Sequence, residues 1–325
     1  MRTGRSRRGG VVKAIASSAL LLTVLVCYAT YQAPAAGQSS FRIAVDVALV
    51  VLPATVTDRQ GSLVSDLAEQ DFQVYENGVA QHIQLFKNED IPVAVGLVID
   101  HSTSMVPKIA EVVAAARTFV RSSNREDAIF VVNFNELASL GLPTSVRFTD
   151  DTVALEGAIL TKLARGQTAL YDAVAMGLDQ IQAANRDKRA LIVVSDGGDN
   201  ASRRKLDEVM KLAEQSTAVI YTVGVFDQDD PDQNSGVLKR LARETGGEAF
   251  FPGQPGEVSV ICERIARDIR HQYTLGYVPS NPARDGSYRS IRVLAGNKDR
   301  GKLLVRTRTG YRAGAVPLPG EQAVK

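Results

Sequence analysis

The strongest constraint on this chain is a rhythm between residues 91 and 272, where short apolar runs alternate with longer amphipathic stretches. The runs are PVAVGLVID (92–100), AIFVVNF (128–134), ALIVVSD (190–196) and AVIYTVGVF (218–226). They are dense in Val and Ile and short enough for strands. Between and after them come KIAEVVAAARTFVRSS, TALYDAVAMGLDQIQAAN, RRKLDEVMKLAEQS and GVLKRLARETGG, whose apolar residues recur at helical spacing. Near-continuous apolar strands separated by helices specify a mostly parallel sheet covered on both faces. Right-handed crossovers wind such a sheet doubly. The expected class is therefore α/β, doubly wound and Rossmann-like, with ligands bound beyond the carboxyl ends of the strands near the switch in strand order.

Both flanks change character. Residues 41–90 (FRIAVDVALVVLPATVTD, then DFQVYENGVAQHIQLFKN) and 273–312 (YTLGYVP, YRSIRVLAG, KLLVRTRTGY) alternate apolar and polar residues as half-buried strands do. Glu76–Asn77–Gly78 is a hairpin turn signal. Each piece is too small for a core of its own, so the two are expected to pair into one small β-sandwich-like module. The tail 313–325 is expected to be disordered.

The first residues read as a targeting segment. Five basic residues and no acid occupy 1–13, an uncharged run fills Ala14–Ala29, and Ala33 and Ala35 have the spacing of a cleavage site. The apolar run is shorter than the roughly 20 residues of a spanning helix, so residues 1–36 read as a cleaved export signal, with an uncleaved anchor as the alternative. Without those five cations the chain holds 33 basic against 36 acidic residues, a net charge of −3. No basic stripe remains for nucleic acid. Cys27 lies in the signal, which leaves Cys262 alone in an apolar helical pattern, VICERIARDI. That leaves no intrachain disulfide and spells out no cysteine zinc site, and it suits a buried, inert thiol. An export signal implies a location in the periplasm, on the cell surface or in the medium.

The stretch VIDHSTSM (98–105) ends a buried strand on Asp100 and then sets Ser102 and Ser104 at alternate positions. In an extended turn these three side chains converge. VVSDGGDN ends another buried strand at Asp196, and ARGQTALYDAV puts Thr168 just before a helix. Carboxylates and hydroxyls are hard oxygen ligands, suited to Mg²⁺ or Ca²⁺ and poorly to soft metals. Asp100, Ser102, Ser104, Thr168 and Asp196 are thus candidate ligands of one divalent cation above the sheet. The competing reading is that Asp and Ser after a strand simply cap helices.

The order D-x-S-x-S, then T, then D resembles the metal-ion-dependent adhesion site of the von Willebrand factor type A domain, and all five positions match. The resemblance spans about 91–272. The flanks DFQVYENGVAQHIQLF and VRTRTGY also resemble an exported group of such proteins from acidobacterial genomes. The resemblance implies that Asp100, Ser102 and Ser104 approach Mg²⁺ (or Mn²⁺ or Ca²⁺) directly or through water, that Thr168 joins when ligand binds, and that Asp196 acts mostly through water. It also implies a partner protein that offers an acidic residue to the metal, hence metal-dependent adhesion; the lack of a general base for Ser102 or Ser104 argues against an enzyme.

Other chemistry finds little support. His101 falls at the skipped position of the motif, and His82 and His271 make no zinc pair. Gly246–Gly247 in ETGGEAFF lacks a phosphate-loop pattern and reads as a helix stop and strand start. The acidic loop 227–235 lacks the Gly and terminal Glu of a calcium loop. Two alternatives remain: a Mg²⁺-dependent, phosphatase-like hydrolase, and a structural envelope protein with an unused metal site. The hydrolase lacks both a second carboxylate at position 102 and a G-x-S-x-G elbow.

Overall fold

The structure, a computed structural model, describes residues 49–226, 233–254, 256–297 and 300–314. The residues read as an export signal, with Cys27, the start of the 41–90 segment, most of the acidic loop 227–235 and most of the tail 313–325 lie outside them. No helix among the described residues is long and apolar enough to cross a membrane.

The strands are β1 (Val50–Thr57), β2 (Phe72–Glu76), β3 (Val79–Gln81), β4 (Ile83–Lys87), β5 (Val93–Asp100), β6 (Ala128–Phe134), β7 (Ala138–Leu140), β8 (Lys188–Ser195), β9 (Val219–Gly224) and β10 (Ala249–Phe250). They continue with β11 (Tyr273–Tyr277), β12 (Tyr288–Asn297), β13 (Gly301–Lys302), β14 (Leu304–Arg306) and β15 (Gly310–Arg312). The helices are α1 (Ile109–Ser122), α2 (Thr152–Ile159), α3 (Leu170–Gln182), α4 (Leu206–Gln215), α5 (Ser235–Thr245) and α6 (Glu257–Arg270).

The central sheet runs β10-β9-β8-β5-β6-β7. Its first five strands are parallel, and β7 turns back antiparallel on β6. Every residue of β5 is buried, as a strand covered on both faces must be. The helices pack in two groups, α1 with α2 and α6, and α4 with α3 and α5. The fold class read from the apolar rhythm is the one observed. From β5 the chain goes to β6 on one side and later to β8 on the other, so the strand order switches between β5 and β8. That is where an open α/β sheet offers a crevice.

Two elements of this domain were not expected, α2 and β7. Asp151 caps α2 by accepting the Val153 amide at 2.8 Å, but eight residues give little periodicity to read. β7 has three residues and takes its form from β6 alone.

The flanks build further sheets. One has the order β14-β1-β11-β4, and in the other β12 pairs with β2, β13 and β15, with β3 on β2. The hairpin β2–β3 turns on Asn77 (φ 48°) and Gly78 (φ 82°), the left-handed pair that a two-residue hairpin needs. Leu52, Val56 and Leu275 of the first sheet share one apolar cluster with Phe72, Val74 and Val293 of the second. Within it the buried Glu76 is met from both sheets. Tyr277 donates to its Oε2 at 2.7 Å, Tyr311 to the same atom at 2.8 Å, and Arg289 Nη1 to Oε1 at 3.0 Å.

This lobe is fastened to the α/β domain by arginines. Arg306 pairs with Asp268 of α6 at 2.5 Å and with Glu248. The buried Arg308 donates to the Glu214 carbonyl at 2.6 Å, in the last turn of α4, where a cation complements the helix dipole. Cys262 is buried in α6, and burial pushes its thiol up to about 12.

Candidate metal centre

The candidate centre is assembled where β5 and β8 end side by side. Asp100 is the last residue of β5, and Ile99 lies opposite Val194 of β8. Asp196 follows the last residue of β8. Neighbouring parallel strands thus deliver two carboxylates to one edge of the sheet. Gly197 adopts φ 82°, and a Cβ there would stand 2.4 Å from the Asn234 carbonyl oxygen. Only glycine allows this turn, which returns the Gly198 amide to Asp196 Oδ1 at 3.0 Å.

Four of the five residues read from the sequence form one hydrogen-bonded chain. The Ser102 amide donates to Asp100 Oδ1 at 2.8 Å. The Ser102 and Ser104 hydroxyls stand 3.0 Å apart, and Ser104 Oγ donates to Asp196 Oδ2 at 2.5 Å. Asp100, Ser102 and Asp196 are buried and Ser104 is half-buried. Thr168 is also buried but differs: among the described residues its hydroxyl bonds to none of the other four. Its loop nevertheless lies against theirs. Thr103 donates its amide to the Gly166 carbonyl at 3.2 Å, and Arg165 donates to the His101 carbonyl at 2.8 Å.

Residues not singled out as ligands support this arrangement. Ser195 donates to Asp100 Oδ2 at 2.6 Å and accepts the Gly197 amide at 3.0 Å. Asn200 accepts the Thr168 amide at 2.9 Å through its side chain and donates its own amide to the Thr168 carbonyl at 3.0 Å. Asp199 accepts the Tyr171 amide at 2.8 Å and the Ser202 hydroxyl at 2.6 Å. A serine closing an otherwise apolar strand was the one available signal for Ser195. Asn200 acts on the distant residue Thr168, which local pattern does not reveal.

Electrostatics at the centre is one-sided. Burial, and then the neighbouring Asp196, push the Asp100 carboxyl up to about 6, against hydrogen bonds from Ser195 and Ser102 that favour the anion. Among the described residues no lysine or arginine bonds either carboxylate, and no group of three His, Cys, Asp or Glu side chains is placed to hold a metal. The donors are two carboxylates and hydroxyls. They fit a hard, oxygen-loving cation such as Mg²⁺, which keeps several of its waters, and not a thiolate- or imidazole-bound one. His101 is fully buried and turned aside, with Nε2 3.1 Å from Asn133 Oδ1 and Nδ1 without a hydrogen bond.

Fold and site together define a doubly wound α/β domain with an oxygen-lined cluster at its topological switch. Residues 95–198, about a third of the chain, match the model of the von Willebrand factor type A domain family. No curated protein matches the chain. Similar solved structures include BatB from Bacteroides thetaiotaomicron, at 17% identity and TM-score 0.44, covering 54% of this chain and 98% of that one. A von Willebrand factor type A protein from Catenulispora acidiphila is 14% identical with TM-score 0.49, over 85% of this chain and 78% of that one. The vWF domain of the type V pili tip protein Mfa5 from Porphyromonas gingivalis is 15% identical with TM-score 0.47, over 55% and 95%.

Proposed function

We propose that this is an exported binding protein that attaches to a partner protein through a divalent cation held by Asp100, Ser102, Ser104, Thr168 and Asp196. The observation that carries the reading is the pair of buried carboxylates, Asp100 and Asp196, joined through Ser102 and Ser104, with no lysine or arginine bonded to either among the described residues. Buried charge without a partner is costly, and a cation removes that cost. Bound there, Mg²⁺ (or Mn²⁺ or Ca²⁺) would supply a Lewis-acidic position for a carboxylate oxygen of the partner.

The chain's own residues do the rest. Asp100 and Asp196 provide the negative charge. Ser102 and Ser104, whose hydroxyls now bond each other, would turn them to the ion. Asn200 holds the Thr168 backbone at the rim of the site. The reading is of a binding module rather than a hydrolase, because His101 is engaged with Asn133 and does not serve Ser102 or Ser104 as a base.

The test has two arms. Calorimetric titration with Mg²⁺ and Mn²⁺ should give saturable binding by the parent and none by Asp196→Ala. Envelope extract passed over the immobilised parent should yield a partner released by chelator and not retained by Asp196→Ala. A partner held equally well with chelator would overturn the adhesive role and favour a structural one. Metal-dependent ester or phosphate turnover lost in Asp100→Ala would favour the hydrolase.

A further inference from the structure

The α/β domain has a second surface that the cation reading leaves unused. A groove of about 940 Å³ runs between the edge strand β7 and helix α3. Leu137, Leu140, Leu142 and Met176 give it an apolar lining. Leu137 is 61% and Leu140 45% exposed, so apolar area here is left to water next to an open strand edge. Among the described residues β7 pairs only with β6. Its sequence, Ala138–Ser139–Leu140, is short but has no charge, proline or bulge to turn a partner strand away.

Charge along the groove is polarised. Asp172 accepts the backbone amides of Arg203 and Arg204 at 3.0 and 3.1 Å. Its carboxylate is therefore occupied in holding the loop, while among the described residues the two guanidinium groups line the groove without an ion pair. Asp179, two turns further along α3, leaves an exposed carboxylate at the other end. The arginine end adjoins the candidate metal centre, since the Ala201 amide donates to the Thr168 carbonyl at 3.1 Å.

We propose that this groove binds an extended segment of a partner protein, its apolar side chains on Leu137, Leu140 and Met176 and its carboxylate on Arg203 and Arg204. The open edge of β7 offers main-chain pairing to such a segment, and the lining below it takes alternate side chains. Charge sets the direction: an acidic residue is attracted at the Arg203–Arg204 end and repelled at the Asp179 end. Binding here needs no cation, so the inference goes beyond the metal-dependent reading and stands or falls separately from it.

A displayed library of random peptides, selected on the immobilised full chain in the presence of EDTA, tests the groove with the metal centre emptied. The expected result is enrichment of peptides that combine apolar residues with a carboxylate near one end. Arg203→Glu with Arg204→Glu should weaken their capture by roughly tenfold, the order of effect two exposed ion pairs supply. Leu140→Asp should weaken it as well. All three positions are exposed or at the groove edge, and unchanged thermal melting of the variants separates lost binding from lost folding. Absence of enrichment, enrichment of basic peptides, or capture indifferent to both variants would overturn the proposal. Failure of the metal reading would appear instead in the Mg²⁺ titration, which these variants leave unchanged.

Discussion

Ser104 donates its hydroxyl to Asp196 at 2.5 Å across the point where the sheet changes direction, joining the loop after β5 to the end of β8. Ninety-odd residues of α/β winding are needed to bring this pair together, and the contact exists only if the strand order is β8-β5-β6.

The first prediction concerns that contact and the charge beside it. Saturating Mg²⁺ should raise the melting temperature of the parent, because a ligand bound only to the native state at a hundred times its Kd adds about 2.7 kcal/mol. Asp196→Asn should abolish this rise without lowering stability in the metal-free protein, since it removes a like charge next to Asp100. Differential scanning calorimetry with and without EDTA reads both effects. A metal-independent melting temperature in the parent would count against a cation at this place.

A second prediction tests the buried pair in the flanking lobe. Arg289→Met leaves Glu76 with its two tyrosine donors and no cation. Removing one member of a buried ion pair costs about 3–5 kcal/mol, and urea unfolding should show a loss of that order. Replacing both charges, Glu76→Leu with Arg289→Met, should recover part of it. Equal losses in the single and double variants would contradict the assignment of the penalty to uncompensated charge.

The third prediction is a pH dependence. Lys188 is buried at the start of β8, and its Nζ donates to the carbonyls of Glu89 and Arg270 at 2.9 and 3.1 Å. Burial lowers its pKa from 10.5 to about 8, against the attraction of Asp90 and Glu89. The unfolded chain then holds more protons than the folded one between those values, so this group's contribution to stability increases as pH rises from about 8 to 10.5. Below about pH 8 its desolvation cost is present in full. The stability difference between parent and Lys188→Met should therefore shift in favour of the parent over that interval. Parallel curves by chemical denaturation across it would refute the burial argument.

A fourth prediction rests on space. A Cβ added at Gly247 would lie 2.0 Å from the Ile220 carbonyl oxygen, a backbone atom fixed within β9. Gly247→Ala should cost on the order of 1–3 kcal/mol, as overpacking does, measured by urea midpoint. At Gly157 nothing lies within 4 Å of the added carbon, so Gly157→Ala should be tolerated.

The α/β winding was legible because burial on both faces leaves a run such as PVAVGLVID little choice of residue type, and all of β5 is indeed buried. The pairing of Asp100 with Asp196 at one edge followed from the same rhythm, since both close apolar runs. Less could be read where tertiary contact, not local pattern, sets structure. β7 is a three-residue strand imposed by β6. The strand β8 begins at Lys188, two residues before the apolar run, where it pairs with Val93 and the Glu89 and Arg270 carbonyls accept its ammonium group. The role of Ser195 depends on a carboxylate 95 positions away, and the depth at which His101 is buried follows from its contact with Asn133.

The antiparallel ladder between β4 and β11, with Lys87 opposite Thr274, has a consequence for how the molecule could be remodelled. The strand that leads into the α/β domain and the strand that leaves it are adjacent rungs of one ribbon. Topologically, everything between them is the oversized loop of a hairpin. Such a cassette can be exchanged for another, or shortened, with its anchoring strands still able to find each other.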